Sequence, residues 1–152
     1  MEVRSGSCRF GLWFVHVWWT GERINRVIFS NRPLEGTVPS VFKQYLAGIR
    51  DDFSPFTASP AEETTVYARC WRETALIPYG ETATYGEIAV RAGTGPRVVG
   101  QAMARNPTPL IIPCHRVMAR DGLGGFSAPL ELKGALLAME RKNRNKFRIG
   151  SI

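Results

Sequence analysis

The sequence contains only three cysteines, Cys8, Cys70 and Cys114, and no two of them follow a C-x-x-C spacing. An odd number of scattered cysteines supports neither a disulfide framework nor a zinc finger. Cys8, His16 and Cys70 are the nearest candidates for a metal in the N-terminal region, and they are too few and too dispersed. We therefore expect reduced thiols and no bound metal.

Long hydrophobic runs are missing as well. The longest run near the start, residues 12–19, is too short to span a bilayer and is interrupted by His16. It is also not laid out as a signal peptide. We expect a cytoplasmic protein, in the nucleoid or nucleus if the source has it act there, with no membrane partner.

Acidic residues are outnumbered by basic ones. The 152 residues include 20 Lys and Arg against 13 Asp and Glu, which gives a formal charge of +7. This balance favours a polyanionic partner such as nucleic acid or an anionic membrane surface, and charge alone does not choose between them. With 44% hydrophobic and 11% aromatic residues, the chain can form the core of one domain or two small ones.

The first part of the chain predicts a small antiparallel sheet. Residues 9–20 and 26–30 are rich in Phe, Trp, Val and Ile and are separated by a turn at Gly21-Glu22. Apolar residues at helical spacing in 39–50 predict a helix that covers the sheet. Residues 51–60 mix acidic residues, Pro and Ser like a linker, so we place an N-terminal support domain at 1–59.

The second part, 60–152, predicts a mostly helical domain, so the fold class is α+β. Helices are expected over residues 61–76, 84–91, 96–105 and 129–141, followed by a basic tail at 141–148. Thr84 and Glu87 have the spacing of a capping box, and Pro96 suits a first helical position. The two short helices around residues 92–95 predict a helix-turn-helix of the winged-helix type.

A cysteine stands directly beside a histidine at the end of an apolar run, in the segment IIPCHRV. A thiolate is the nucleophilic form of cysteine, and a neighbouring imidazole can generate it directly or through water. The alternative is structural: Cys114 would be a buried residue after a core strand, and His115 would only satisfy hydrogen bonds.

The surrounding motifs identify a family resemblance. The segments IPYGETATYGEIA, PRVVGQAMARNP, IIPCHRV and GGFS occur in order between about residues 66 and 140. In this order and spacing they closely resemble the O6-alkylguanine-DNA alkyltransferases. The resemblance implies a DNA repair protein that flips O6-alkylguanine out of the duplex and transfers the alkyl group irreversibly to its own cysteine. It further implies a single-turnover methyltransferase activity without a cofactor, in a monomer that binds the DNA minor groove.

The resemblance also assigns five catalytic residues. Cys114 is the expected alkyl acceptor, and His115 works through a bound water, with Glu140 as the orienting acid, to raise the thiolate fraction. Tyr85 is expected to give its hydroxyl to the leaving purine and to crowd the DNA backbone during flipping. Asn106 is expected to tie the recognition helix to the active-site strand.

Further residues are assigned to DNA and to the pocket. Arg97 is the expected finger that fills the space left by the flipped base. The other expected DNA contacts are Thr84, Tyr85, Gly100 and Ala102. The expected pocket residues are Met103, Pro109, Val117, Phe126 and Ser127. In the pocket, the Ser127 N–H would donate to the guanine oxygen, and the Cys114 and Val117 carbonyls would accept from the exocyclic amine.

Two positions depart from the family pattern. Phe126 stands where tyrosine is common, and Ala128-Pro129 replaces a more flexible Gly-rich stretch, so the pocket is expected to have a less polar rim and a stiffer loop.

Each assigned residue also has a plain interpretation. Glu140 alone would be an exposed acid near the end of an amphipathic helix, and Tyr85 a packing aromatic. Arg97 at a helix N-terminus would contact phosphates or base edges, and Asn106 would be an ordinary helix C-terminal residue.

Three other functions compete at this point. A non-catalytic alkyltransferase-like damage binder would keep Tyr85 and Arg97 but lack an acceptor, and the intact PCHRV argues against it. A helix-turn-helix regulator would suit the charge but would not need His115 or the GGFS loop. In a Cys-His hydrolase the nucleophile and the base usually lie far apart in the sequence, whereas Cys114 and His115 are adjacent.

Overall fold

Three antiparallel strands form the main sheet of the protein. The computed structural model describes residues 2–58, 64–122 and 129–149. In it β1 (Arg4–Phe10), β2 (Trp13–Thr20) and β3 (Arg23–Ser30) pair in consecutive hairpins. Buried positions alternate along β1 and β2, as expected for a sheet with one face on a core. In β3 the buried residues Ile24 and Val27 are three positions apart, because the pairing with β2 shifts register there.

The prediction of a single first strand over residues 9–20 is wrong. The chain turns at Gly11, where φ is +60°, so Cys8 to Phe10 belong to β1 and Trp13 begins β2. A left-handed φ suits glycine, because it has no Cβ. The apolar residues on both sides of this turn hid it in the sequence.

The segment predicted as a linker contributes a fourth strand. Within residues 51–60, β4 (Thr57–Ala58) pairs in parallel with the start of β3 and extends the sheet. The predicted boundary near Ser59 falls among residues 59–63, which lie outside the described residues. The division into domains 1–59 and 60–152 therefore stays a prediction.

One helix covers the sheet, as predicted, but it is shorter than expected. The helix α1 (Ser40–Leu46) buries Val41, Phe42, Tyr45 and Leu46. The chain leaves the helix at Gly48, where φ is +76° and a Cβ would lie only 2.3 Å from the Asn143 side-chain amide. Residues 47–50 therefore follow the helix as a turn instead of extending it.

The middle of the chain forms three helices, of which α2 (Val66–Ala75) is the first. This helix begins after Thr65, whose hydroxyl accepts a hydrogen bond from the Ala68 N–H, so its described start is later than the predicted residue 61. Ala75 is exposed, although it lies at helical spacing with the apolar residues Cys70 and Trp71. The residues of α2 that are buried are Ala68, Cys70, Trp71 and Thr74.

The predicted helix-turn-helix consists of α3 (Tyr85–Ala92) and α4 (Pro96–Ala104), which pack against each other. The capping box at the start of α3 is formed in both directions. Gly93 ends α3 with φ +69°, and Pro96 is the first residue of α4. A two-stranded parallel sheet, β5 (Ala83–Thr84) with β6 (Val117–Met118), joins the start of α3 to the segment after Cys114.

The last helix is longer than predicted. The helix α5 (Leu130–Ile149) includes residues 141–148, which were predicted to form a separate basic tail. The basic residues of this segment are therefore helical. Its residues Leu132 and Leu136 are buried in the core cluster that also contains Val15, Phe42 and Tyr45. The last helix thus packs on the first sheet and on α1, and the α+β fold class is confirmed. The winged element stays a prediction.

Across the described ranges, no helix is both long enough and apolar enough to cross a lipid bilayer.

Candidate active site

Cys114 lies at the start of a single 3₁₀ turn, Cys114–Arg116, that leads directly into β6. This residue is 1% exposed. It packs with Val99, Met103 and Ile112 in a core cluster separate from the one that contains Val15 and Phe42. The Cys114 N–H donates to the Ile112 carbonyl at 2.7 Å. The thiol therefore lies inside the protein, packed against α4 of the helix-turn-helix.

Asn106 connects the end of α4 to this segment. Its amide nitrogen donates to the Ile112 carbonyl at 2.8 Å, and its amide oxygen accepts from the Thr108 N–H at 3.0 Å. The side chain is buried, so both hydrogen bonds are shielded from water. The chain turns back between them at Leu110, a buried residue with φ +78° that its packing holds in the left-handed region.

His115 faces the carboxylate of Glu140. The Nε2–Oε2 distance is 2.7 Å, and neither side chain is more than 1% exposed. The other ring nitrogen, Nδ1, is buried and has no hydrogen-bond partner among the described residues. Because a carboxylate only accepts, the proton of the neutral ring lies on Nε2, and Nδ1 is the nitrogen that can take up a proton.

Glu140 accepts hydrogen bonds from four residues. Arg116 donates from Nε to Oε1 and from Nη2 to Oε2, both at 2.9 Å. The Gly80 N–H donates to Oε1 at 3.0 Å, and the Tyr45 hydroxyl and His115 Nε2 donate to Oε2. The acid that the sequence alone would expose is therefore fully buried and multiply bonded.

These contacts set the protonation states of the site. Burial opposes ionisation of Glu140, but the hydrogen bonds from His115 and Arg116 and the charge of Arg116 outweigh it and hold the pKa of this carboxyl well below its usual range. Burial lowers the pKa of His115 below 6.5, although Glu140 opposes this shift. The resting site therefore holds an ionised acid beside a neutral imidazole.

Burial favours the protonated form of the thiol. Burial raises the pKa of Cys114 to about 11, although the hydrogen bond from Asn106 and the charge of Lys133 act in the opposite direction. The expectation that the relay raises the thiolate fraction stays a prediction.

A buried lysine completes the site. Lys133 is fully buried on α5, and its Nζ donates to the Val117 carbonyl at 2.6 Å. Burial lowers its pKa to about 8. This contact engages the carbonyl that the resemblance assigned to the guanine amine, so in the resting protein that acceptor is already bonded.

Of the other residues assigned to the pocket, two are buried in the described structure and two lie outside it. Met103 is buried in the same cluster as Cys114, and its sulfur lies 3.7 Å from the Thr74 hydroxyl. Pro109 is buried and pairs with Ile112 in an isolated parallel bridge. The assignments of Phe126 and Ser127 lie outside the described residues, as do residues 124–125 of the GGFS motif.

The helix-turn-helix presents most of the residues assigned to DNA. Arg97 is exposed in the first turn of α4, Gly100 is half-buried, and Thr84 and Tyr85 lie half-buried where α3 begins. Ala102 was wrongly assigned. It is fully buried, and its carbonyl accepts from Trp71 Nε1 at 2.8 Å, so it faces the core of the protein.

Sequence reasoning missed Tyr45, Arg116 and Lys133. Tyr45 was interpreted only as an apolar position of α1. Lys133 and Glu140 are seven residues apart and share one face of α5 with Leu136, which was a usable signal for buried charges on an apolar stripe. Arg116 follows the Cys-His pair and is buried, whereas arginine at a surface turn is the common case.

No group of three His, Cys, Asp or Glu side chains within residues 2–58, 64–122 and 129–149 comes together as a metal site would require. The absence of a metal stays a prediction.

Comparison with known proteins identifies the family. A family model described as "6-O-methylguanine DNA methyltransferase, DNA binding domain" matches residues 65–142, just over half of the chain. The matched segment contains the helix-turn-helix, Cys114, His115 and Glu140. The chain belongs to the 6-O-methylguanine DNA methyltransferase family.

Curated relatives agree with this assignment. A methylated-DNA–protein-cysteine methyltransferase of Methanopyrus kandleri is 59% identical over 64 residues, which cover 42% of this chain and 49% of the relative. One of the same name from Metallosphaera sedula is 43% identical over 96 residues, covering 63% of this chain and 61% of the relative. The matched part thus spans about half the length of these relatives, or slightly more.

Solved structures extend the likeness to nearly the whole chain. The O6-methylguanine methyltransferase of Mycobacterium tuberculosis has a TM-score of 0.74 at 28% identity, covering 93% of this chain and 94% of that one. The M. tuberculosis OGT in complex with DNA gives the same TM-score at 29% identity, with 94% of both chains covered. The N-terminal sheet and α1 therefore belong to the shared architecture.

The neutral state of His115 predicts a pH dependence of stability. Below pH 6.5 the unfolded chain protonates this residue while the folded chain does not, so the free energy of unfolding should fall as the pH is lowered from 7. The slope contributed by one proton is at most about 1.4 kcal/mol per pH unit. Urea unfolding at several pH values between about 7 and 5.5 measures this slope.

The two histidines of the chain provide a matched comparison. The variant His115→Gln should lose the slope, whereas His16→Gln should retain it, because His16 lies on β2 and contacts the Arg32 carbonyl, remote from Glu140. An equal slope in the wild type and in His115→Gln would show that the buried imidazole is not the cause.

Proposed function

We propose that this protein repairs DNA by transferring the alkyl group of O6-alkylguanine to the sulfur of Cys114, once per molecule and without a cofactor. The observation that carries the proposal is the arrangement around His115. Its Nε2 is held by an ionised Glu140, its Nδ1 has no partner among the described residues, and the preceding residue, Cys114, is a buried free thiol. Family membership and the names of the relatives support the same activity.

The transfer is a displacement at the alkyl carbon. The Cys114 Sγ–carbon bond forms while the carbon–O6 bond breaks, and guanine leaves with the bonding electrons. The thiol proton passes to His115 Nδ1, directly or through a water, and Glu140 stabilises the imidazolium. Burial raises the pKa of this thiol to about 11, so the transfer of its proton to His115 is proposed to accompany the attack on the alkyl carbon.

The leaving guanine gains negative charge and needs a proton donor. Tyr85 is proposed to supply its hydroxyl, and the Ser127 N–H to contact the guanine oxygen. Asn106 holds the Cys114 segment against α4 through its two side-chain hydrogen bonds. Met103 and Pro109 are proposed to support the pocket, with Val117 and Phe126 completing its wall.

The proposed partner is double-stranded DNA containing O6-alkylguanine, bound by a protein monomer. The formal charge of +7 favours phosphate contacts, and a family member has been solved in complex with DNA. We propose that α4 enters the minor groove, where Arg97 at its exposed start would replace the flipped base. Thr84, Tyr85 and Gly100 lie on the same helix pair. A cytoplasmic or nucleoid location is part of this proposal.

Incubation with an O6-methylguanine oligonucleotide tests the reaction. Intact mass should increase by one methyl group per protein and then stop, because a thioether is stable and nothing in the mechanism removes the group. Peptide mapping should locate the methyl group on Cys114. Methylation of Cys8 or Cys70, or repair beyond one equivalent, would contradict the mechanism.

A serine scan of the buried cysteines supplies the control. Cys114→Ser should bind the oligonucleotide with unchanged affinity but transfer nothing, because a hydroxyl is far less acidic than a thiol. Cys70→Ser makes the same change at another fully buried position and should still accept one methyl group. Binding without transfer in the wild type would instead favour a damage-binding protein.

The role of Arg97 can be separated from general charge. Arg97→Ala should slow repair of duplex DNA by about tenfold or more, because base extrusion costs a few kcal/mol. It should react nearly normally with free O6-benzylguanine, which needs no flipping. Arg91→Ala removes an equal charge from α3 and is the matched control. Equal losses with both substrates for Arg97→Ala would identify Arg97 as structural.

A further inference from the structure

Tyr45 brings the N-terminal part of the protein into the active site. It lies on α1, outside residues 65–142 that the family model matches, and its side chain is fully buried. Its ring packs against Phe53 at 4.8 Å and meets the edge of Tyr79 at 6.0 Å, measured between ring centroids. These contacts fix the position of the hydroxyl group.

The Tyr45 hydroxyl contacts both members of the acid–base pair. It donates to Glu140 Oε2 and lies 3.2 Å from His115 Nε2. Burial and the nearby carboxylate raise the pKa of Tyr45 well above its usual value, so the phenol keeps its proton. A neutral phenol beside an ionised carboxylate is a hydrogen-bond donor to it.

This hydrogen bond competes with His115 for the same oxygen. Glu140 Oε2 accepts from Tyr45, from Arg116 and from His115. Each donor draws negative charge from the carboxylate, so each one reduces the support that the carboxylate gives to a proton on the imidazole. Removing one neutral donor should strengthen that support without changing the formal charge of the site.

We infer that Tyr45 is a positioning residue for the alkyl transfer: through Glu140 its hydroxyl holds His115 in place and limits how readily His115 keeps a proton. The inference rests on the proposed function for its catalytic consequence. Its physical basis, the contact between α1 and the pair of His115 and Glu140, is independent of any substrate.

Other charged and titratable groups surround His115, and they are the same in the wild type and in a variant that lacks only the Tyr45 hydroxyl. Glu140 and Lys133 face it from α5, Arg116 and Cys114 lie on its own turn, and Tyr79 approaches Tyr45 and Arg116 from the loop after α2. Replacement of the Tyr45 hydroxyl leaves all of these in the sequence.

The test is the titration of His115 in the unreacted protein, followed by nitrogen NMR. Tyr45→Phe should raise the pKa of His115 by about one unit, because a hydrogen bond to a charged group is lost. Tyr79→Phe is the matched control, since its hydroxyl contacts the Met139 sulfur at 3.3 Å and not the carboxylate. That variant should leave the titration unchanged.

Transfer kinetics give the catalytic readout. The acid limb of the pH–rate profile for methyl transfer to Cys114 should move to higher pH in Tyr45→Phe by the same amount as the His115 titration. A role in packing alone would lower the rate at every pH and leave the position of the limb unchanged, which would overturn the inference.

A second substitution tests the opposite direction. Replacing Tyr45 with 3-fluorotyrosine makes the phenol a stronger donor while keeping its shape, and it should lower the pKa of His115. If Tyr45→Phe does not fold, the protein with 3-fluorotyrosine at position 45 is used for the test instead. An unchanged His115 titration in the folded variants would overturn the inference. A shifted titration in a protein that transfers no alkyl group would reject the proposed function while leaving the contact intact.

Discussion

The structure of the site depends on one buried carboxylate. Glu140 is fully buried, and its two oxygens accept hydrogen bonds from Arg116, His115, Tyr45 and the Gly80 N–H. A buried charge without partners is costly, so the elements that supply these donors must all be in place for the acid to stay ionised. The donors come from α1, the loop after α2 and the 3₁₀ turn, and the acid comes from α5. Glu140 thereby joins the first part of the chain to the last helix.

The same carboxylate determines the chemistry available at Cys114. It fixes the proton of His115 on Nε2, which leaves Nδ1 as the base, and it can stabilise the imidazolium once a proton arrives. The thiol meanwhile stays protonated, because burial raises its pKa to about 11. A protonated, buried thiol reacts slowly with oxidants, which would suit the single use proposed for Cys114.

Local patterns in the sequence predict the helix-turn-helix and single out Cys114 and His115, because caps, turns and the Cys-His motif are encoded by neighbouring residues. Thr84 with Glu87, Gly93 and Pro96 all take the predicted positions. Non-local contacts were harder to predict. Tyr45 is 95 residues from Glu140 and lies on an apolar helix face like any core aromatic, so nothing nearby in the sequence marks its hydroxyl. The length of α5 was underestimated because its C-terminal half is charged, and Ala102 was misassigned because small residues suit both a core and a DNA surface.

Glu140 holds His115 as a neutral imidazole, with its proton on Nε2 and a base at Nδ1. Nitrogen NMR of the unreacted protein at neutral pH, with His115 assigned by comparison with the His115→Gln variant, measures this tautomer directly. We expect a protonated Nε2 and an unprotonated Nδ1 for this residue. A proton on Nδ1, or a fully charged imidazolium at neutral pH, would contradict it.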